Sequence, residues 1–266
     1  MTIDILKRNH VHISGSGDQT IVFAHGFGCD QSVWNKIIPA FESDYRVVMF
    51  DYVGAGRSDK SAYTKERYSS LHGYAQDVLE ICEALDLKDI FYVGHSVSGM
   101  IGALASIKRP ELMKKLVMIG PSPHYLNEPG YNGGFEESDI QELLDMMETN
   151  YKEWSKYLAP LAMDTKENPE MVERFEELLY SNDPEIARQF ATATFYSDHR
   201  EDVSEIPADT LILQTTTDAI VPLEVAEFLN EHIPNSELVI MKKGKGHNPH
   251  ISEPEETAAE IKRFIS

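Results

Sequence analysis

Short, almost wholly apolar runs recur along the chain and predict strands that are buried on both faces. Six such runs are separated by longer segments with helical spacing, and this alternation is typical of parallel strands joined by crossover helices. The predicted strands are Thr20 to Gly26, Tyr45 to Asp51, Ile90 to His95, Lys115 to Gly120, Thr210 to Gln214 and Glu237 to Met241. We therefore expect an α/β protein.

The segment from Leu71 to Leu85 shows the helical pattern between two of these strands. Its apolar residues recur at intervals that place them on one face of a helix. They are Leu71, Tyr74, Ala75, Val78, Leu79, Cys82 and Leu85. A mostly parallel, twisted sheet flanked by helices is the architecture that these patterns predict.

The alternation stops after Pro121-Ser122-Pro123 and resumes only at Thr210. The sequence between these points has helical spacing, and structureless loops longer than about 15 residues are uncommon in compact domains. We interpret residues 123–202 as a helical lid inserted into a core that comprises residues 1–122 and 203–266.

The chain is strongly acidic, with a formal net charge of −20 over 266 residues. Such a charge repels nucleic acid phosphates and anionic membrane surfaces, so neither is an expected partner. Between Glu128 and Glu205 there are 20 acidic and 6 basic residues, so much of the charge falls on the predicted lid. We expect most of these charges to be on solvated helix faces, although an acidic entrance would also disfavour anionic substrates.

Targeting and metal-binding signals are weak in this sequence. The start of the chain lacks a signal-peptide pattern and no run reaches the length of a membrane span, so a cytoplasmic location is expected. Cys29 and Cys82 belong to no zinc-binding or disulfide pattern. We expect packed thiols, no metal and no cofactor.

The run from Val93 to Gly99 carries the strongest chemical signal. It contains Gly94-His95-Ser96-Val97-Ser98 between a predicted buried strand and a predicted helix. A nucleophile on a sharp strand-to-helix turn needs small residues two positions before and after it, and Gly94 and Ser98 meet that need. Ser96 is therefore the candidate nucleophile.

A serine nucleophile needs a base and an orienting carboxylate, in the chain order Ser, acid, His for this kind of turn. Asp218 and His247 each follow a predicted strand and are the preferred candidates. The alternative acids are Asp51 and Asp209, which we expect to have turn or capping roles. His250 is the competing base, although it lies further from the strand end.

Backbone N–H groups that could stabilise an oxyanion are expected at two positions. One belongs to Val97, directly after the nucleophile, and the other to Phe27 in the Gly-rich loop His25-Gly26-Phe27-Gly28. We place His25 near the pocket in a structural role, hydrogen bonded to loop backbone, rather than as a second catalytic histidine.

Beyond these motifs, the chain resembles the α/β-hydrolase-fold serine hydrolases. Within them it is similar to bacterial energy-stress regulators of the RsbQ type and to the plant karrikin and strigolactone receptors. The matching blocks are Phe23 to Trp34, Phe50 to Asp59, Gly73 to Leu87, Val93 to Ser106, Gly120 to Asn127, Gly133 to Glu136 and Ser197 to Asp202. The GHSVS variant at the nucleophile is closer to the plant receptors.

The resemblance implies a lid of four helices, inserted between the sixth and seventh strands, above a deep apolar pocket. Its expected aromatic lining is Phe27, Tyr125, Phe135, Trp154, Phe190 and Phe195, although ordinary helix packing would equally account for the aromatic residues of the lid.

Two functions remain open at this point. The first is a serine hydrolase for small hydrophobic esters, lactones or similar acyl compounds. The second is a signalling protein that binds or slowly hydrolyses a small apolar ligand and docks a partner such as a PAS-domain phosphatase in a stress response. A catalytic triad would be compatible with both functions.

Overall fold

A central sheet organises the molecule, which is represented by a computed structural model that describes residues 4–164 and 169–266. The strands in this part of the chain are β1 His12–Ser14, β2 Thr20–Ala24, β3 Arg46–Phe50, β4 Ile90–His95, β5 Met113–Ile119, β6 Asp209–Gln214 and β7 Ser236–Ile240. Their spatial order is β1-β3-β2-β4-β5-β6-β7, and every pair is parallel except β1 with β3. The predicted α/β-hydrolase type of sheet is confirmed.

All six strands predicted from apolar runs are present, each to within two residues at either end. The central strands β2 and β4 are buried at every position, which explains their almost continuous apolar sequence. By contrast, β1 is mostly exposed, and its three residues show no clear alternation of apolar and polar side chains. Sequence periodicity therefore gave no signal for this short antiparallel edge strand.

Helices cover the sheet and also form the inserted segment. They are α1 Ile5–Arg8, α2 Leu71–Ala84, α3 Val97–Lys108, α4 Glu137–Thr149, α5 Tyr151–Met163, α6 Pro169–Tyr180, α7 Pro184–Phe195, α8 Leu223–His232, α9 Pro249–Ser252 and α10 Pro254–Ile265. The predicted buried stripe of α2 is present, with Leu85 just beyond the helix and only half buried. None of the described helices is long and apolar enough to cross a bilayer.

The four helices α4 to α7 all fall between residues 123 and 202. Helix α4 packs against α5 and α7, and α5 packs against α6. Among the described residues, however, this insertion follows the fifth strand and precedes the sixth, so its expected position between the sixth and seventh strands is wrong. The reason is that only β1, rather than two strands, is formed before Thr20 in the described chain.

The order of the strands in the sheet determines where the loops that carry Phe27 and Ser96 lie. After β2 the chain forms β3 on one side of it and then β4 on its other side. The direction in which successive strands are added to the sheet therefore reverses between β2 and β4. Ligands of open α/β sheets bind outside the carboxyl ends of strands at such a switch point. The loops that contain Phe27 and Ser96 begin at these two ends.

Candidate active site

Ser96 lies on a sharp turn between β4 and α3. Its backbone has φ 56° and ψ −125°, a conformation that L-residues rarely adopt and that is found at functional sites. The turn is so tight that a Cβ at Gly94 would lie 2.3 Å from the Ser98 carbonyl oxygen. A Cβ at Gly26 would lie 2.5 Å from the His95 ring. Glycine is required at these two positions because a side chain would overlap the Ser98 backbone or the His95 ring.

Ser96, His247 and Asp218 form a continuous series of hydrogen bonds. The Ser96 Oγ lies 2.7 Å from His247 Nε2, and His247 Nδ1 lies 2.7 Å from Asp218 Oδ2. Both distances are within hydrogen-bond range for a nucleophile, its base and an orienting acid. All three side chains are at least nine-tenths buried, which limits competition from water.

The loops after β6 and β7 hold the acid and the base. The Asp218 Oδ1 accepts hydrogen bonds from the backbone N–H groups of Ile220 and Val221, at 2.8 and 2.9 Å. This leaves Oδ2 for the histidine. The His247 backbone N–H donates to the Ala162 carbonyl, at 2.7 Å, in the last turn of α5. Helix α5 of the insertion therefore contacts the loop after β7 that carries the candidate base, His247.

The alternative acids and base have other partners. Asp51 accepts hydrogen bonds from the backbone N–H groups of Gln31 and Arg57, whereas Asp209 is exposed at the start of β6. His250 is buried with its ring 4.6 Å from that of Trp34, and neither ring nitrogen has a partner among the described residues. Burial lowers the pKa of His250 to about 3. A base with that pKa would be far too weak for proton transfer near neutral pH.

The predicted oxyanion donors border the nucleophile. Val97 is the first residue of α3, where backbone N–H groups have no partner within the helix. Phe27 follows β2 on the adjoining loop, and within the described residues its N–H donates no backbone hydrogen bond. Backbone N–H groups at these two positions, together with the positive end of a helix dipole, are suited to a developing negative charge.

Two further histidines support the turn without contacting Ser96 by hydrogen bonds. The His25 ring accepts from the Tyr52 N–H at 3.2 Å and lies 2.9 Å from the Gly26 carbonyl. His95 Nε2 lies 2.8 Å from the His247 carbonyl. Burial lowers the pKa of both rings, so His25 and His95 are neutral. This geometry agrees with the structural role expected for His25.

A small, largely apolar cavity of about 40 Å³ opens beside Ser96 and His247. Of the aromatic residues that the sequence places in the pocket, Phe27, Tyr125 and Phe195 line it. Burial raises the pKa of Tyr125, opposed by the nearby Ser96 side chain, so the phenol is protonated. A larger groove of about 590 Å³ borders α6 but contains no triad residue.

The other predicted pocket residues lie behind this wall. Trp154 and Phe190 pack edge-on against Phe27, with ring centroids 5.9 and 5.7 Å away, and Phe135 packs against Phe195 at 5.8 Å. His25 is also outside the cavity lining. Trp154, Phe190 and Phe135 do not line the cavity as predicted, because they pack against Phe27 and Phe195, the aromatic side chains that do line it.

Sequence reasoning missed more than half of the cavity wall. The missed residues include Leu158, Phe175, Leu179, Thr194, Ile220 and Asn248. Most come from lid helices whose buried faces look alike in sequence. Asn248 had a usable signal, because it follows the candidate base, His247, directly in the sequence.

One cluster in the described chain has suitable groups for a metal ion: His124, Glu128 and Asp198. Arg200 already pairs with both carboxylates, at 2.8 Å from Glu128 and 2.6 Å from Asp198. A cation would compete with this guanidinium. The cluster is accounted for as an ion-pair network.

Comparisons with known proteins agree with the fold. The alpha/beta hydrolase fold family matches residues 19–254. The chain is 40% identical to the karrikin insensitive 2 receptor CA of Petunia hybrida, covering 97% of this chain and 96% of the relative. It is also 40% identical to a strigolactone esterase of Arabidopsis thaliana, over 98% of both chains.

Solved structures extend the comparison. A hydrolase from Oleispira antarctica is 41% identical, with a TM-score of 0.96 over 98% of this chain and 96% of that one. An esterase from Exiguobacterium antarcticum, 24% identical with a TM-score of 0.89, covers 96% of this chain and 94% of its own and shows the same fold. The chain therefore belongs to the α/β-hydrolase fold family and is a hydrolase.

Proposed function

We propose that the protein is a serine esterase or lactonase for small hydrophobic acyl compounds. The observation that carries the proposal is the series from Ser96 through His247 to Asp218, with 2.7 Å at both contacts. The names of its relatives also support ester hydrolysis, because one of them is a strigolactone esterase. No cofactor is required by this chemistry.

In the proposed mechanism, His247 takes the proton of Ser96 as Oγ attacks the ester carbonyl. The N–H groups of Phe27 and Val97 hold the negatively charged oxygen of the tetrahedral intermediate. The alcohol then leaves with the proton from His247, and an acyl group remains on Ser96. Water attacks that acyl group with His247 again as base, which releases the acid and restores the hydroxyl of Ser96.

The size of the cavity limits the substrate. About 40 Å³ is far below the several hundred Å³ of a pocket for a drug-sized ligand. A short acyl group fits this closed form, whereas a longer substrate requires the lid helices to move apart. We therefore place small esters and lactones first.

Removal of the nucleophile tests this proposal. Ser96→Ala should lower kcat/KM for p-nitrophenyl acetate by about a thousandfold or more, because the acyl group then has no acceptor. Ser106→Ala is the matched control, since Ser106 is a buried serine of α3, the helix that follows Ser96, and its hydroxyl donates to the Ala103 carbonyl of that helix at 2.7 Å. Unchanged hydrolysis in Ser96→Ala would remove Ser96 from the mechanism.

A second function, ligand reception, is favoured by the receptor name of a relative that is 40% identical over nearly the whole chain. In this proposal the protein works in the cytoplasm as an RsbQ-like stress regulator. It binds or slowly hydrolyses its ligand and then docks a PAS-domain phosphatase through the lid. A gene for such a phosphatase beside the gene for this protein would favour reception, whereas a catabolic operon would favour turnover.

A further inference from the structure

His95 connects the nucleophile turn to the loop that carries the base. It is the last residue of β4, directly before Ser96, and is 2% exposed. Its Nε2 lies 2.8 Å from the backbone carbonyl oxygen of His247, and the Oγ of the next residue, Ser96, lies 2.7 Å from the ring of the same histidine. Two consecutive residues therefore contact His247 at two points, its backbone and its ring.

These two contacts together restrict the position of the base. A single hydrogen bond between Ser96 and His247 would leave the imidazole free to pivot about it. The second bond, from the His95 side chain, closes a ring of atoms through the peptide link between His95 and Ser96. Proton transfer from Ser96 depends on this geometry, because a misplacement of about 1 Å can lower a rate by about a hundredfold.

The contact also identifies which ring nitrogen of His95 carries the proton. A carbonyl oxygen only accepts hydrogen bonds, so Nε2 of His95 is the donor. Burial, together with the neighbouring rings of His250 and His247, lowers the pKa of His95 well below its usual range, so the ring is neutral and Nδ1 has no proton. A neutral donor does not repel His247 when that base takes up a proton during the reaction, as a charged donor would.

Other hydrogen bonds to this loop come from different parts of the molecule. The His247 N–H donates to the Ala162 carbonyl in α5, and Thr215 Oγ1, in the loop after β6, donates to the Gly246 carbonyl at 2.6 Å. Neither bond comes from the strand that carries the nucleophile. Within the described part of the chain, the His95 side chain supplies the one hydrogen bond from the nucleophile turn to the backbone of His247.

We propose that His95 is a positioning residue, whose Nε2–H holds the backbone of His247 so that the ring of His247 stays within reach of Ser96. This inference rests on the proposed esterase function and adds a residue to the machinery of that site. The motif around Ser96 limits the size of the residues at Gly94 and Ser98 but does not specify a donor directly before the nucleophile. Loss of the donor should slow the chemical step and leave the cavity that binds the substrate in place.

Two substitutions separate the hydrogen bond from the packing of the ring. His95→Phe keeps a ring and removes the donor, whereas His95→Gln keeps an amide N–H that can donate to the same carbonyl. His250→Phe is the matched control, because His250 is also a buried ring, 4.3 Å from that of His95, and its ring nitrogens have no partner among the described residues. For each variant, kcat and KM for p-nitrophenyl acetate and the midpoint of urea unfolding are measured, and Ser96→Ala tests the proposed function in the same assay.

His95→Phe should lower kcat and kcat/KM by about tenfold or more, with KM nearly unchanged and a urea midpoint close to that of wild type. His95→Gln should recover most of the lost rate, and His250→Phe should keep the kcat of wild type. A wild-type kcat in folded His95→Phe, or a loss that is equal in His95→Phe and His95→Gln or in His95→Phe and His250→Phe, would overturn the inference alone. Hydrolysis that is absent in wild type, or unchanged in Ser96→Ala, would overturn the proposed function and this inference with it.

The position of the proton can also be measured in wild type, independently of the stability of His95→Phe. In ¹⁵N NMR spectra at neutral pH, the imidazole signals that disappear in His95→Gln should be those of a neutral ring with the proton on Nε2. A doubly protonated ring, or a neutral ring with the proton on Nδ1, would overturn the inference whatever the rates are.

Discussion

Ser98 connects the nucleophile turn to the loop that follows β2. Its hydroxyl hydrogen bonds with the His25 carbonyl and, at 3.0 Å, with the Tyr52 hydroxyl. A glycine at this position would be small enough for the turn but would lack these bonds. The sequence motif requires only a small residue here, whereas in the structure the Ser98 hydroxyl links the turn at Ser96 to the loop after β2 that contains Phe27, the predicted oxyanion donor.

His250 gives the stability of the protein a pH dependence. Burial lowers its pKa from 6.5 to about 3 in the folded state. Between these values the unfolded chain binds a proton that the folded chain does not, so stability present above pH 6.5 is lost as the pH falls. At pH 5 the loss relative to pH 7 is about 2 kcal/mol from this residue.

Urea unfolding at pH 7 and pH 5 measures this contribution. His250→Phe keeps an aromatic ring against Trp34 and removes the titration, so its stability should fall by about 2 kcal/mol less than that of wild type over this interval. An equal fall in both proteins would show that His250 does not remain neutral in the folded state.

At the scale of elements, the end of α5 is joined by hydrogen bonds to the loop after β7 that contains His247. The Ala162 carbonyl accepts hydrogen bonds from the backbone N–H of His247 and the side chain of Asn248, at 2.7 and 3.2 Å. Gly246 permits this close approach, because it has φ +65° and a Cβ there would lie 2.7 Å from the same carbonyl. Any movement of this end of the lid would therefore move His247, the candidate base.

Gly246→Ala should therefore displace His247 and lower kcat for p-nitrophenyl acetate by about tenfold or more. Gly130→Ala is the control, since Gly130 also has a positive φ but no atom lies within 4 Å of a Cβ there. Both variants should lose about 1 kcal/mol of stability from backbone strain. Gly246→Ala should lose more because of the close contact with the Ala162 carbonyl, and only Gly246→Ala should lose activity. Equal kcat values in the two variants would contradict the coupling of lid and base.

The elements themselves were predicted unequally. Runs such as Ile90 to His95 could be recognised as strands because a strand that is buried on both faces consists almost entirely of apolar residues. The contact between Ala162 and His247 could not, because it joins residues 85 positions apart through a backbone carbonyl, which any residue type supplies. For the same reason, the sequence indicated that Ser96, Asp218 and His247 lie at strand ends but not which lid side chains enclose them.

For the whole molecule, most of the net charge of −20 comes from one segment of the chain. The segment from Glu128 to Glu205 carries 20 acidic and 6 basic residues. Many of its carboxylates are on the outer faces of α4 and α6, including the exposed Glu142, Glu173 and Glu177. Charges in such positions interact weakly with a buried site because solvent and salt screen them.

Reversal of these charges should leave catalysis nearly unchanged. The triple variant Glu142→Lys, Glu173→Lys and Glu177→Lys should keep kcat/KM for p-nitrophenyl acetate within about twofold of wild type. A change in solubility is expected as the net charge falls in magnitude. A collapse of the catalytic rate would show that these lid residues take part in the site itself.

The most direct measurement of the central claim is the position of the acyl group during turnover. Wild type is mixed with p-nitrophenyl acetate, quenched in acid within the first turnover and digested for peptide mass spectrometry. The account predicts an added acetyl group on Ser96, absent from Ser96→Ala and present in Ser106→Ala. An acetyl group on another residue of the active enzyme, with Ser96 unmodified, would contradict it.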